Sequence, residues 1–309
     1  MKKPEILATA GSMDELRRVI MAGADAVTIG EGRWGMRLPG DFTLSDITQA
    51  VQFARDHQAK IYVSVNKLMD NADLVELPAY LSALSEIGID AIIFGDPAIL
   101  YLKEKLAPHI ALHWNAEMTS TNYATANYWA SKGASRVILA RELNMEQVLE
   151  FKHHAKLDVQ VQIHGATNIY HSRRNLINSY LTNKRDSSFA DDLATQSGLH
   201  LVEAERAELS HPIYEDMNGT HMLSADDICM LESLDELMAG GIDSFKIEGL
   251  LKSIDYNETV IKAYRSAVDT YMSAPENYTP NPAWLESIQK LQDPGRELTF
   301  GFFYKEQVY

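Results

Sequence analysis

The sequence predicts an α/β protein of the (β/α)8 TIM-type barrel class with an insertion between the seventh and eighth units. Three observations predict it. Short apolar, β-branched runs alternate with longer amphipathic stretches about eight times along the chain of 309 residues, the pattern of parallel strands buried on both faces and separated by helices. A phrase of Gly, then Asp, then an apolar strand recurs as GADAVTIG at Gly23, GIDAIIFG at Gly88 and GIDSFKIEG at Gly241, with each glycine suited to close a helix. No GxGxxG follows any strand, which weakens the alternative of an open doubly wound sheet.

The strand candidates in order are EILATAG (5–11), DAVTIG (25–30), KIYVSVN (60–66), DAIIFGD (90–96), ALHWNAE (111–117), RVILAR (136–141), DVQVQIHG (158–165) and DSFKIEG (243–249). Helix candidates between them include Ser12 to Ala22, Leu44 to His57, Leu74 to Ile87, Ser120 to Lys132 and Met145 to Lys156. The barrel domain is expected over residues 1–272, interrupted by an insertion at 181–227. Within it the alternation around Asn218-Gly219 predicts a hairpin. Residues 273–309 are expected to form a Pro-rich linker, SAPENYTPNPAW, and an extended segment, GRELTFGFFY.

Composition limits the function. Lys plus Arg number 28 against 43 Asp plus Glu, a net charge of -15, so the average surface repels phosphate backbones and anionic membranes. Any nucleic-acid contact must therefore be local or made through a partner, and DNA binding is not expected. No run approaches the roughly 18 apolar residues of a membrane helix, and MKKPEILATAGSMDEL is too weakly apolar for a signal peptide; the expected location is cytoplasmic. The single cysteine, Cys229, excludes an internal disulfide and a cluster held by four thiolates of this chain. It lies in DDICMLESL, read as an amphipathic helical segment in which a packed small residue is expected rather than a nucleophile.

In a barrel the working face is the C-terminal end of the strands. The polar residues there are Glu31, Asn66, Asp96, Asn115, Glu117, Arg141, His164, Lys246 and Glu248. Lys246 and Glu248, two apart on one strand, point to the same side, as do Asn115 and Glu117. Such a pair can serve as ion pair, acid–base couple or anion clamp, and a purely structural Lys–Glu layer is the competing reading. His164, Lys246 and Glu248 are taken as candidate catalytic residues, with Asn66, Asp96, Asn115, Glu117 and Arg141 as substrate-binding candidates. His171, Arg173, Arg174, Lys184 and Arg185 concentrate positive charge beside that face, against the sign of the whole chain, and are candidates for contact with RNA or a protein partner. HExxH, GxSxG and P-loop motifs are absent, no metal site is expected, and His109, directly after Pro108, is separated from His113 by a strand start. Tyr123, Tyr128 and Trp129 on one helix are read as core rather than as a base-stacking platform.

Several of these stretches resemble a known family. PEILATAGSMDELRRVIMAGADAVTIG, KIYVSVN, RVILAREL, VQIHGATN, AGGIDSFKIEGLLKS with YNETVIKAYRSAVD, and GRELTFGFF are similar to peptidase family U32, the collagenase-like proteins, over nearly the whole chain. The resemblance implies a cysteine-held iron–sulfur cluster after the HGA block, but the first two cysteine positions are Asn168 and Asn175 here and 176–200 contain none. The family's usual Arg after FKIEG is Leu250. The chain thus resembles a short, cysteine-poor member that binds no cluster itself. The implied function is 5-hydroxyuridine formation at the tRNA wobble position alongside a cluster-bearing paralogue, with tRNA met through the complex and a prephenate-related small molecule as an implied ligand. The alternatives are a collagenase-like peptidase and a non-catalytic barrel scaffold.

Overall fold

The computed structural model describes residues 2–115, 121–184, 198–202, 204–206 and 209–306. Eight strands close a parallel barrel: β1 (Glu5–Thr9), β2 (Ala26–Ile29), β3 (Lys60–Val65), β4 (Ala91–Phe94), β5 (Ala111–Asn115), β6 (Arg136–Ile138), β7 (Asp158–Ser172) and β11 (Ser244–Ile247). Each pairs with the next, and β11 closes the ring by pairing β7 at Ser244↔Gln160 and β1 at Lys246↔Leu7. Closure leaves the eight barrel strands without an unpaired edge.

The repeated Gly-x-Asp phrase has a common physical basis. Gly23, Gly88 and Gly241 all adopt positive φ, at 111°, 77° and 73°, the left-handed turn that ends a helix. Two residues on, Asp25, Asp90 and Asp243 each accept a backbone N–H of the preceding barrel strand, from Ile6, Ile61 and Val159, all at 2.8 Å. The phrase thus ends a helix and ties the next strand's start to its neighbour.

The outer helices are α1 (Met13–Met21), α2 (Leu44–Asp56), α3 (Asp73–Ile87), α4 (Ala98–Leu106), α5 (Tyr123–Ser131), α6 (Met145–His154), the short α8 (Leu234–Ala239) and α9 (Ile254–Ser273). Thr43 with Asp46 and Asn144 with Gln147 form capping boxes that start α2 and α6. Trp129 of α5 packs against Trp114 and Phe94, but Tyr123 and Tyr128 are exposed, unlike the expected core triplet. On nine residues an apolar stripe buries only one side, and these two rings lie off it.

The excursion between the seventh and eighth barrel strands begins earlier than residue 181. After its last pairing with the barrel at His164, β7 runs on to Ser172 and is met antiparallel by β10 (Gly219–Cys229). The insertion also contains α7 (Leu176–Lys184), β8 (His200–Val202) and β9 (Ser210–Asp216), with β9 and β10 joined at the expected Asn218-Gly219 turn. Glu215 of β9 accepts the backbone N–H of Ile177 at 2.7 Å, capping α7 from another element. Cys229 therefore ends a strand, not a helix, and is buried against Tyr264 of α9.

The C-terminal segment is more ordered than a linker. Asn281 caps a helix, α10 (Pro282–Gln289), which packs on α9, and β12 (Leu298–Thr299) pairs parallel with β10. Asn followed by Pro at the first helical position was the available signal. Asp227 of β10, fully buried, holds this segment by accepting from Arg296 and Gln292 while pairing with Lys252.

Candidate functional site at the barrel mouth

The C-terminal mouth of the barrel opens into two connected cavities. A narrow one of about 30 Å³ enters the lumen and is lined by residues that include Thr9, Thr28, Asn66, Asn115, Gln160, Lys246 and Glu248. Above it a cavity of about 360 Å³ shares Met36, Asn66 and Asn115 and adds Lys67, Leu68, Gly95, His171, Arg173, Met217 and Asn218. The roof is the hairpin tip: Asn218 donates its side-chain N–H groups to the carbonyls of Gly32 and Gly35, at 3.0 and 3.2 Å, reaching across to the loop after β2.

Lys246 and Glu248 do share a side and form an ion pair at 2.9 Å. The Glu248 carboxylate also accepts from the Thr9 hydroxyl at 3.1 Å and from the Leu250 N–H at 3.2 Å, while Gly249 donates to Thr9 at 2.8 Å. Glu248 is thereby locked by three donors, and Lys246 is held at the cavity wall. Behind it, Glu15 accepts from Gly11 and Asn257 at 2.7 and 2.6 Å, and burial raises its pKa above the usual carboxylate value.

The other expected site residues divide. Asn66 and Asn115 line both cavities, and Asn66 uses its carbonyl to accept the Met36 N–H at 2.7 Å. His171 and Arg173 line the upper cavity, whereas Arg174 is exposed on the turn before α7 and Lys184 ends that helix. His171 stacks on His221 with ring centroids 4.7 Å apart, and His221 stacks on Tyr214 at 4.8 Å. Burial lowers the His171 pKa. Glu117 and Arg185 lie outside the described residues.

Three expected positions belong elsewhere. Asp96 accepts the N–H groups of Met69 and Ala98 at 2.9 and 2.8 Å, so it ties a loop to the start of α4 and is not part of either cavity's lining. Arg141 donates to Gln162 at 2.9 Å and to the Asn168 carbonyl at 3.4 Å, bracing the β7 extension. His164 is the clearest correction. It was expected at the cavity as a polar residue at a strand's C-terminal end, and it shares the parity of the lumen-facing Gln160, but the register slips between Lys246↔Gln162 and Ile247↔His164. That bulge turns His164 to the outer face of the barrel. There it is fully buried against α9, with Nε2 2.9 Å from the Tyr256 hydroxyl and Nδ1 3.3 Å from that of Tyr264. Burial pushes its pKa down to about 3, leaving a neutral imidazole out of reach of any cavity ligand.

Gln160 and Thr28 were not among the expected residues. Gln160 is 1% exposed and Thr28 6% exposed, and both face the lumen. The available signal was a Gln inside the apolar strand DVQVQIHG, on the lumen-facing parity.

The residues present do not fit an iron–sulfur cluster. Asn168 sits on the β7 extension and Asn175 is exposed before α7, and neutral carboxamides do not replace thiolates. The chain's one cysteine is buried at the foot of β10, its thiol pKa raised by burial. Leu250, at the position of the family's usual Arg, joins Ala166, Tyr214 and Leu223 in a small apolar cluster beneath the insertion. A cation there would be desolvated, so the apolar replacement suits the packing.

Residues 11–308 match the model of peptidase family U32. The chain is 43% identical to tRNA hydroxylation protein P2 of Bacillus subtilis (strain 168), with all of both proteins covered. It is 32% identical to tRNA hydroxylation protein P1 of the same organism, covering 100% of this chain and 74% of that one. The 23S rRNA 5-hydroxycytidine C2501 synthase of Escherichia coli (strain K12) is 29% identical over 86% of this chain and 39% of its own length. Among solved structures, the U32 peptidase Mk0906 shares the fold with a TM-score of 0.51 at 12% identity, covering 79% of this chain and 92% of that one.

Proposed function

We propose, from the premise that this chain belongs to peptidase family U32, that it supports 5-hydroxyuridine formation at the wobble position of tRNA as the cluster-lacking partner of a cluster-bearing paralogue. The observation that carries this reading is the full-length likeness to a tRNA hydroxylation protein P2 from an organism that also has a longer P1. The absence of thiolate ligands in this chain supports assigning the cluster to the paralogue. The barrel mouth supplies the binding chemistry: Lys246 held by Glu248, amides at Asn66 and Asn115, and the His171 imidazole and cationic Arg173 on the side that meets RNA or the partner. Such a protein works in the cytoplasm with its RNA.

The peptidase reading ranks below it. Nucleophilic proteolysis needs a hydroxyl or thiol beside a base, whereas Cys229 is remote and Glu248 is already engaged by Lys246, Thr9 and Leu250.

Mass spectrometry of tRNA nucleosides from cells lacking the gene, complemented by wild type or by Lys246→Ala, tests the proposal. Loss of hydroxyuridine-derived nucleosides on deletion, restored by the wild type alone, is the expected result. An unchanged profile on deletion refutes the tRNA assignment. Full rescue by Lys246→Ala would keep that assignment and reduce the barrel to a scaffold.

A further inference from the structure

The lumen contains polar groups that the protein itself leaves unanswered. Both the Oε1 and Nε2 atoms of Gln160 and the Oγ1 of Thr28 are buried without a hydrogen-bond partner among the described residues. These side chains are 99% and 94% removed from solvent, since their exposures are 1% and 6%. Leaving such groups unpaired opposes folding. Three unanswered atoms facing one cavity, beside the Lys246–Glu248 pair, make a built site rather than an accident of packing.

The donor and acceptor pattern defines the occupant. Lys246 keeps two N–H donors beyond the one it gives Glu248, Gln160 has two and Thr28 one, against the Gln160 carbonyl and the Thr28 hydroxyl oxygen as acceptors. A carboxylate answers the donors, with its charge facing the ammonium. The Gln160 carbonyl then requires a donor close to that carboxylate, which a hydroxyl on the adjacent carbon supplies. We propose that the barrel lumen binds the 2-hydroxy-carboxylate end of a small organic acid, with Gln160, Thr28 and Lys246 as its recognising residues. The rest of the acid extends into the wider cavity above, between Met36, Leu68 and Met217. A fully ionised phosphate would give nothing to the Gln160 carbonyl, and a neutral amide would bring no charge to the ammonium. The assignment stands on the lumen's chemistry and is independent of the tRNA reading.

The test is thermal unfolding of the purified full chain in 20 mM sodium L-lactate, against 20 mM lactamide with sodium chloride at equal ionic strength. For millimolar affinity, binding to the folded state alone raises Tm by about 3 °C or more. The expected result is a saturable rise with lactate, none with lactamide, and no rise with lactate in Gln160→Leu or Thr28→Val, both of which still unfold cooperatively. No rise with lactate in the wild type, an equal rise with lactamide, or a rise retained in both variants overturns the proposal. In that last case lactate binds elsewhere.

Discussion

Replacing Asp227 by Asn tests whether one buried carboxylate holds the C-terminal segment and the insertion to the barrel. Asp227 is fully buried; it accepts from Arg296 Nη2 at 2.7 Å, from Arg296 Nε at 3.2 Å and from Gln292 at 2.7 Å, and pairs with Lys252. Burial alone would raise its pKa, but the Arg296 hydrogen bond and the Lys252 and Arg296 charges win and hold it at about 2, against 3.8 in an unstructured chain. A depression of that size is worth roughly 2 kcal/mol. Because the folded-state pKa is the lower one, this stability is present above pH 3.8 and is lost as the pH falls through about 2. The amide variant loses more than this, because it strands Lys252 and Arg296, whose side chains are only 6% and 9% exposed, as two cations without a counter-charge. Stranding buried charge costs about 3–5 kcal/mol, which in a chain of this size lowers Tm by roughly 5–8 °C. Urea and thermal unfolding at pH 7 measure the loss, and hydrogen exchange over 290–304 should show that segment released first. A loss under about 1 kcal/mol would refute the reasoning, since the cations would then have water or other partners. Asp227→Leu combined with Lys252→Met and Arg296→Met should recover most of the stability, as removal of a whole buried charge group often does.

Gln160→Leu should raise the stability of the ligand-free protein by about 1 kcal/mol, because it removes two unpaired polar atoms at nearly constant volume; chemical denaturation showing a loss above about 1 kcal/mol would mean that the carboxamide is satisfied. For His164, with its pKa lowered from 6.5 to about 3, the unfolded chain takes up a proton in this interval and the native state does not. Its contribution is thus complete above pH 6.5 and declines by up to about 1.4 kcal/mol per pH unit below it, so His164→Phe should flatten stability against pH between 3 and 6.5. Gly219→Ala should loosen the hairpin roof: φ is 111° there and a Cβ would strike the Ser172 carbonyl oxygen, a strain of about 1–3 kcal/mol. Faster proteolytic cleavage within 210–229, with the barrel resistant, is the expected readout.

Much of the architecture was legible because its signals are local. The strand–helix alternation and the Gly-x-Asp phrase report a helix end and a strand start, and each such Asp ties its strand to the neighbour. The Lys246–Glu248 pair was legible for the same reason, since strand parity puts both on one side. His164 was not. One bulge between β7 and β11 reverses the face that parity predicts, and a bulge is set by pairing with a distant strand rather than by neighbouring residues. Asp96 and Arg141 stand at strand ends as expected, but their partners, Met69 in a loop and Asn168 on the β7 extension, are brought to them by a chain course that no local pattern encodes. Gln160 and Thr28 were visible as polar residues on strands, but that they lack partners is a property of the assembled lumen.

By itself, then, the sequence determined the periodic features: eight barrel strands, the hairpin turn at Asn218-Gly219, the missing thiolates and the polar residues available at the strand ends. The tertiary structure alone decided which of those residues share a cavity, that the hairpin folds back to roof it, and that the C-terminal segment is clamped by Asp227. The difference is physical. Backbone propensity and side-chain alternation act over a few residues, whereas burial, hydrogen-bond satisfaction and convergence in space depend on contacts between groups as far apart as Thr9 and Glu248.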